Sequence, residues 1–106
     1  MFGKNGKRML ELFEEEISGL EWGRDLGTMS WHEASVHYEC IHGWRLPTID
    51  ELKNAYNKKL EGFDEHTFWS ANMIDHRRCW TLSFKGETKI EFKLNQCHTR
   101  FCRNKK

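Results

Sequence analysis

The sequence predicts an α+β domain in which two short helices accompany a small antiparallel sheet. Three observations carry that reading. Two capping boxes stand in the first half, Ser30-Trp31-His32-Glu33 and Thr48-Ile49-Asp50-Glu51. In each, a hydroxyl caps the helix start and a glutamate three residues on reaches back to the cap. After Phe63 the apolar spacing shifts from a helical period to roughly 2, the period of a strand. Finally, 106 residues leave room for one hydrophobic core and one domain, spanning 1–106.

The elements follow in order. In the opening segment, residues 9–17, Leu10, Phe13 and Ile17 have helical spacing, yet Gly19-Leu20-Glu21-Trp22-Gly23 reads as a strand, so 9–17 fits either form. The first helix is expected from Trp31 to Cys40, with Ala34, Tyr38 and Ile41 on its apolar stripe. The second is expected from Ile49 to about Lys59, burying Ile49, Leu52, Ala55 or Tyr56, and Leu60. Pro47 keeps Leu46 extended ahead of that helix. Strands are expected at Thr67–Ser70 and Cys79–Phe84. Lys85-Gly86-Glu87 supplies a turn, and Thr88–Leu94 then sets Ile90, Phe92 and Leu94 against Lys89, Glu91 and Lys93. A last strand is expected at His98–Arg103.

Composition narrows the function classes. No apolar run approaches the roughly 20 residues of a membrane helix. Acids interrupt any signal-peptide core near the start, so the expected location is cytoplasmic, or extracellular if a leader has been removed. The net charge of +1 hides an asymmetry, with about −5 before Thr67 and +6 after it. A basic second half can steer acidic partners, or simply neutralise the first half where the two pack together.

The chemistry-bearing residues assemble no catalytic constellation. GxSxG, P-loop and GxGxxG motifs are absent, and Asp50 and Glu51 are adjacent on a helix and cannot face each other as an acid–base pair. The six histidines are scattered, without HExxH or HxH, and the cysteines Cys40, Cys79, Cys97 and Cys102 form no CxxC pair. Neither a metal nor a cofactor is therefore expected. Four cysteines allow three disulfide pairings, and buried thiols fit as well. The polar segment Ser70–Arg78, between Trp69 and Trp80, is the candidate recognition surface. Its proposed binding residues are Trp69, Asn72, Asp75, His76, Arg77, Arg78 and Trp80.

The order of these signals is familiar. Gly19-Leu20-Glu21-Trp22, Met29-Ser30-Trp31-His32-Glu33-Ala34 and Cys40 come first, followed by Gly43-Trp44-Arg45-Leu46-Pro47-Thr48-Ile49-Asp50-Glu51-Leu52. Phe68-Trp69-Ser70-Ala71, Cys79–Phe84 and Arg100-Phe101-Cys102-Arg103 close the set. Over about residues 18–103 the chain resembles a bacterial and phage domain family also found at the C terminus of collagen-like adhesins, and the WRLPT-x-x-EL block is the specific part. The resemblance implies a compact C-type-lectin-like fold, with paired terminal strands and two helices flanking the sheet. Trp44, Arg45, Leu46 and Pro47 would then be a structural signature, with Arg45 satisfying buried carbonyls or a carboxylate; Trp31, on the first helix's opening turn, is expected in the core as well. The resemblance also implies Cys40–Cys102 and Cys79–Cys97 pairings. EPN, QPD and WND are absent, so the expected module works without calcium. The function so implied is a non-enzymatic module recognising a protein partner, in its sharpest form a phage or mobile-element inhibitor of a host or defence protein. The alternative is an adhesin-type carbohydrate or polyanion binder.

Overall fold

A computed structural model describes residues 15–17, 19–37, 40 and 42–104 of the chain. Its elements are β1 (Glu15–Ile17), β2 (Leu20–Trp22), β3 (Thr28–Met29), α1 (Trp31–Ser35), α2 (Ile49–Asn57), β4 (Phe68–Met73), β5 (Arg78–Leu82), β6 (Thr88–Phe92), β7 (Cys97–His98) and β8 (Cys102–Asn104). The α+β class is correct. No helix among the described residues is long and apolar enough to cross a membrane.

Both capping boxes form in full. Ser30 Oγ accepts from the Glu33 amide and Thr48 Oγ1 from the Glu51 amide, while each glutamate accepts from its cap's backbone. The helices are shorter than their periodicity suggests. α1 ends at Ser35, whose hydroxyl donates to the His32 carbonyl and so competes with the helical ladder. Val36, β-branched, follows at the cap. Cys40 is thus not on α1, and the expected stripe residues Tyr38 and Ile41 lie outside the described residues, as do 9–14. α2 ends in a Schellman turn: Lys59 takes a left-handed φ of 63°, its amide donates to the Tyr56 carbonyl, and the Leu60 amide donates to the Ala55 carbonyl.

The strands divide into two sheets rather than one. A three-stranded sheet runs β1-β2-β8, all antiparallel. A five-stranded sheet runs β3-β7-β4-β5-β6, and its β4–β7 pairing is parallel, so it is mixed rather than purely antiparallel. The expected last strand splits because its two ends serve different sheets: His98 pairs with Thr28 and Phe68, while Cys102 pairs with Trp22. Between them the Thr99 amide donates to Gly27, and the buried Arg100 donates from Nε to Gly23 and from one terminal nitrogen to Glu61.

Strand alternation feeds two core clusters. Phe68 and Leu82 pack with Trp22, Phe63, Leu60 and the α2 residues Leu52 and Ala55. Their neighbours Trp69 and Cys79 pack instead with Ala34 of α1, Trp44, Leu46, Cys97 and Phe101. The WRLPT block ties these layers together. Trp44, Leu46 and Pro47 are buried. Arg45 forms a backbone bridge with Cys102 and a bidentate ion pair with Glu51, at 2.8 and 2.9 Å. The Arg103 guanidinium covers the Trp44 ring at 4.3 Å.

All four cysteines are free thiols, so neither implied disulfide is formed here. Cys102 donates to Glu51 and Cys79 to the Ser70 and Asn72 carbonyls. Burial pushes the Cys97 and Cys102 thiols up to about 12, and raises Cys79 too. At neutral pH these three are inert, uncharged fillers of the core.

Candidate functional site

The site is built by a bulge, a turn and an edge strand. β4 pairs with β5 through Phe68↔Leu82 and Trp69↔Thr81, then resumes at Met73↔Cys79, so β4 carries two extra residues. Three hydrogen bonds hold the bulge: the Ala71 amide donates to the Pro47 carbonyl, the Asn72 amide to Ser70 Oγ, and Ser70 Oγ to the Trp80 carbonyl. Its consequence is a change of exposure. Phe68, Trp69 and Ser70 are buried, whereas Ala71, Asn72 and Met73 are exposed. Asn72 is aimed at α2, where its Oδ1 accepts from the Ile49 amide at 2.7 Å.

The expected loop is therefore mostly strand, with a tight tip at residues 74–77. Asp75 organises that tip. Its Oδ1 accepts the Arg77 and Arg78 amides, and its Oδ2 accepts two nitrogens of the Arg78 guanidinium. The hydrogen bonds from Arg78 hold the Asp75 carboxyl at about 2, well below the usual carboxylate range. Asp75 and Arg78 thus shape the turn together, leaving Arg77 and His76 exposed at its end.

β6 is an outer strand of its sheet, and its apolar side faces outward. The register places Trp80 opposite Ile90, and Arg78 opposite Phe92, on one face. α2 covers the Leu82 end of that face through Leu52 and Ala55, but its first turn stops beside Trp80. Beyond α2, no described residue covers Ile90 or Phe92, which are 50% and 58% exposed, and Leu94 after β6 is 81% exposed; Met73, 58% exposed, has Cys79 as its register partner and meets Lys93 instead. One groove of about 590 Å³ is lined by Ile49, Asp50, Asn72, Met73 and Trp80. A second of about 650 Å³ lies between the tip residues His76 and Arg77 and the apolar Phe92 and Leu94.

The alternation of Thr88–Leu94 runs opposite to a simple core assignment. Lys93, the expected polar position, is only 3% exposed. Its amide donates to Arg77, its carbonyl accepts from Trp31, and its ammonium lies 4.4 Å over the Trp31 ring, donating to Met73 Sδ. The partly buried Trp31 in turn donates from Nε1 to the Ser70 carbonyl. The Lys93 side chain thus takes the inward position at the end of this strand, and the neighbouring Phe92 and Leu94 face out.

Of the residues singled out for recognition, the structure brings Asn72 and Trp80 into the first groove and His76 and Arg77 into the second. Trp69 is a correction: it is fully buried, and its Nε1 donates to the Met29 carbonyl at 2.7 Å, so it cannot meet a partner. Asp75 and Arg78 are engaged with each other. Met73, Ile90, Phe92 and Leu94 were missed. The signal for the last three was present as a period-2 apolar series, but their burial could not be read without knowing where α2 ends. No protein-family model matches the chain, and no curated protein matches it in sequence.

Proposed function

We propose that this chain is a binding module that recognises a protein partner, on a compact C-type-lectin-like arrangement of its two helices and sheets. The WRLPT-x-x-EL block supports the fold assignment, as does the pairing of β2 with β8 near the two ends of the described chain. The observation that carries the function is the exposed apolar pair Ile90 and Phe92 on the outer strand β6, on the same face as the half-buried Trp80, with Leu94 beside Phe92 in the second groove. Contiguous exposed apolar side chains rimmed by polar groups are the mark of a protein contact surface. Among the described residues no strand pairs with the outer side of β6, so an extended segment of the partner adds there as a further strand. Arg77 at the rim, and the basic balance after Thr67, favour an acidic border on that partner.

The test is affinity capture of the partner followed by titration of the purified pair. Phe92→Asp is expected to weaken binding at least about tenfold, since it places a charge in a desolvated contact. Its melting curve should match the parent's, because Phe92 is largely exposed already. Equal affinity of parent and variant would move the site elsewhere. A glycan or polyanion ligand would instead show steep loss of affinity with salt and indifference to Phe92.

A further inference from the structure

We infer that Asp25, His66 and His98 form a binding site for a divalent transition-metal ion of the zinc type. The three are far apart in sequence and are gathered by the sheet. His98 lies on β7, where its register partners are Thr28 of β3 and Phe68 of β4. Asp25 leads into β3 and His66 leads into β4, so both flanking strands deliver a ligand to the same strand end. The backbone fixes these approaches: the His98 amide donates to Thr67, the Thr99 amide to Gly27, and the Leu26 amide to Thr99. The Gly27 amide anchors Asp25 through Oδ1, leaving Oδ2 directed at His98 Nδ1, 2.8 Å away.

One ligand atom from each residue can be chosen so that all lie within 4.8 Å of one another. Two imidazoles and a carboxylate suit zinc and its neighbours, with metal–ligand distances of about 2.0–2.2 Å and ligand atoms about 3.4 Å apart in a tetrahedron. The His98 Nδ1–Asp25 Oδ2 pair, 2.8 Å apart, must therefore open by about 0.6 Å to admit the ion. The His66 and His98 rings are stacked, with centroids 3.6 Å apart and planes 9° from parallel. An ion bound in the plane of both rings requires one to tilt out of that stack, and His66, half-buried at the end of a turn segment, is the one placed to do so. The ion would replace the hydrogen bond between His98 Nδ1 and Asp25 Oδ2, its proton passing to solvent, and a water would fill the remaining position. Phe68 packs edge-on to both rings and walls the site from the core. Cys97, although adjacent to His98, belongs to the buried cluster on the other side of its strand and takes no part.

Bound metal would staple the segments before β3 and β4 to β7, so it should act on stability as well as occupancy. The experiment titrates chelator-treated protein with zinc chloride by calorimetry and follows the melting temperature. Parallel samples carry His66→Gln, His98→Gln and Asp25→Asn. The expected result is one zinc per chain, a rise in melting temperature, and a fall in affinity of at least about tenfold in each histidine variant. Cobalt substitution should give the visible band of a low-coordinate nitrogen–oxygen site, lost in His66→Gln. Because His66 is half-exposed, its variant keeps the test valid should His98→Gln unfold. Absence of binding, or binding undiminished in His66→Gln, overturns the assignment; the second outcome would point to the thiols.

Discussion

Replacing Glu51 by alanine removes two functions of one carboxylate. Its Oε1 accepts the Thr48 amide at 2.9 Å, completing the capping box, and both oxygens hold the Arg45 guanidinium. The capping contact is worth about 1 kcal/mol. The ion pair is bidentate but its side chains are 41% and 24% exposed, so solvent screening reduces it to about 1 kcal/mol. Glu51→Ala should therefore cost about 2 kcal/mol and lower the melting temperature by roughly 10 °C in a domain of this size. Urea unfolding of Arg45→Ala, Glu51→Ala and the double variant would give the coupling energy directly, expected at about 1 kcal/mol. Acid dependence supplies a second reading. The hydrogen bonds from Arg45 hold the Glu51 carboxyl below its ordinary value. A depressed carboxyl pKa contributes stability that is present above the unfolded-state value and lost as pH falls through it toward the folded one. The parent should lose this contribution on acidification below the ordinary carboxylate range, whereas Glu51→Ala has none to lose. A coupling under about 0.3 kcal/mol would show the pair to be solvated and the WRLPT-x-x-EL block to act through packing alone.

Gly86 has a φ of 80°, and a Cβ there would sit 2.6 Å from the Tyr56 ring, so Gly86→Ala should destabilise by about 2–4 kcal/mol in denaturant unfolding. Lys59 holds the left-handed position of the Schellman turn, and Lys59→Gly should raise stability by about 1 kcal/mol in the same assay. Native protein treated with a thiol reagent should react first at half-buried Cys40, with Cys79, Cys97 and Cys102 reacting only on unfolding; rapid labelling of all four without denaturant would contradict their burial.

What could be read from the sequence was local. A capping box is complete within four residues, so Ser30–Glu33 and Thr48–Glu51 announced both helix starts. The end of α1 was less legible, because Ser35 and Val36 stop the helix while the apolar spacing continues. Strand order depends on pairings across the whole chain, which is why His98–Arg103 read as one strand although its ends join different sheets. The same cause hid the Asp25–His66–His98 cluster, which exists only once β3, β7 and β4 lie side by side. The exposed face was half legible: the alternation of Ile90, Phe92 and Leu94 is plain, but the reach of α2 and the seat of Lys93 over Trp31 decide which side is covered. Trp69 shows the reverse error, since a tryptophan beside a polar loop points into the core when the strand's alternation puts it there.

Hydrogen exchange across β6, in the free protein and in the presence of its captured partner, tests the central proposal most directly. In the free protein, the outward amides of this outer strand should exchange quickly while those bonded to β5 are protected. With the partner bound, the outward amides of Thr88–Phe92 should become protected and the β1-β2-β8 sheet should remain unchanged. Protection confined to β1, β2 or β8, with β6 exchanging as before, would contradict the assignment of this face as the binding surface.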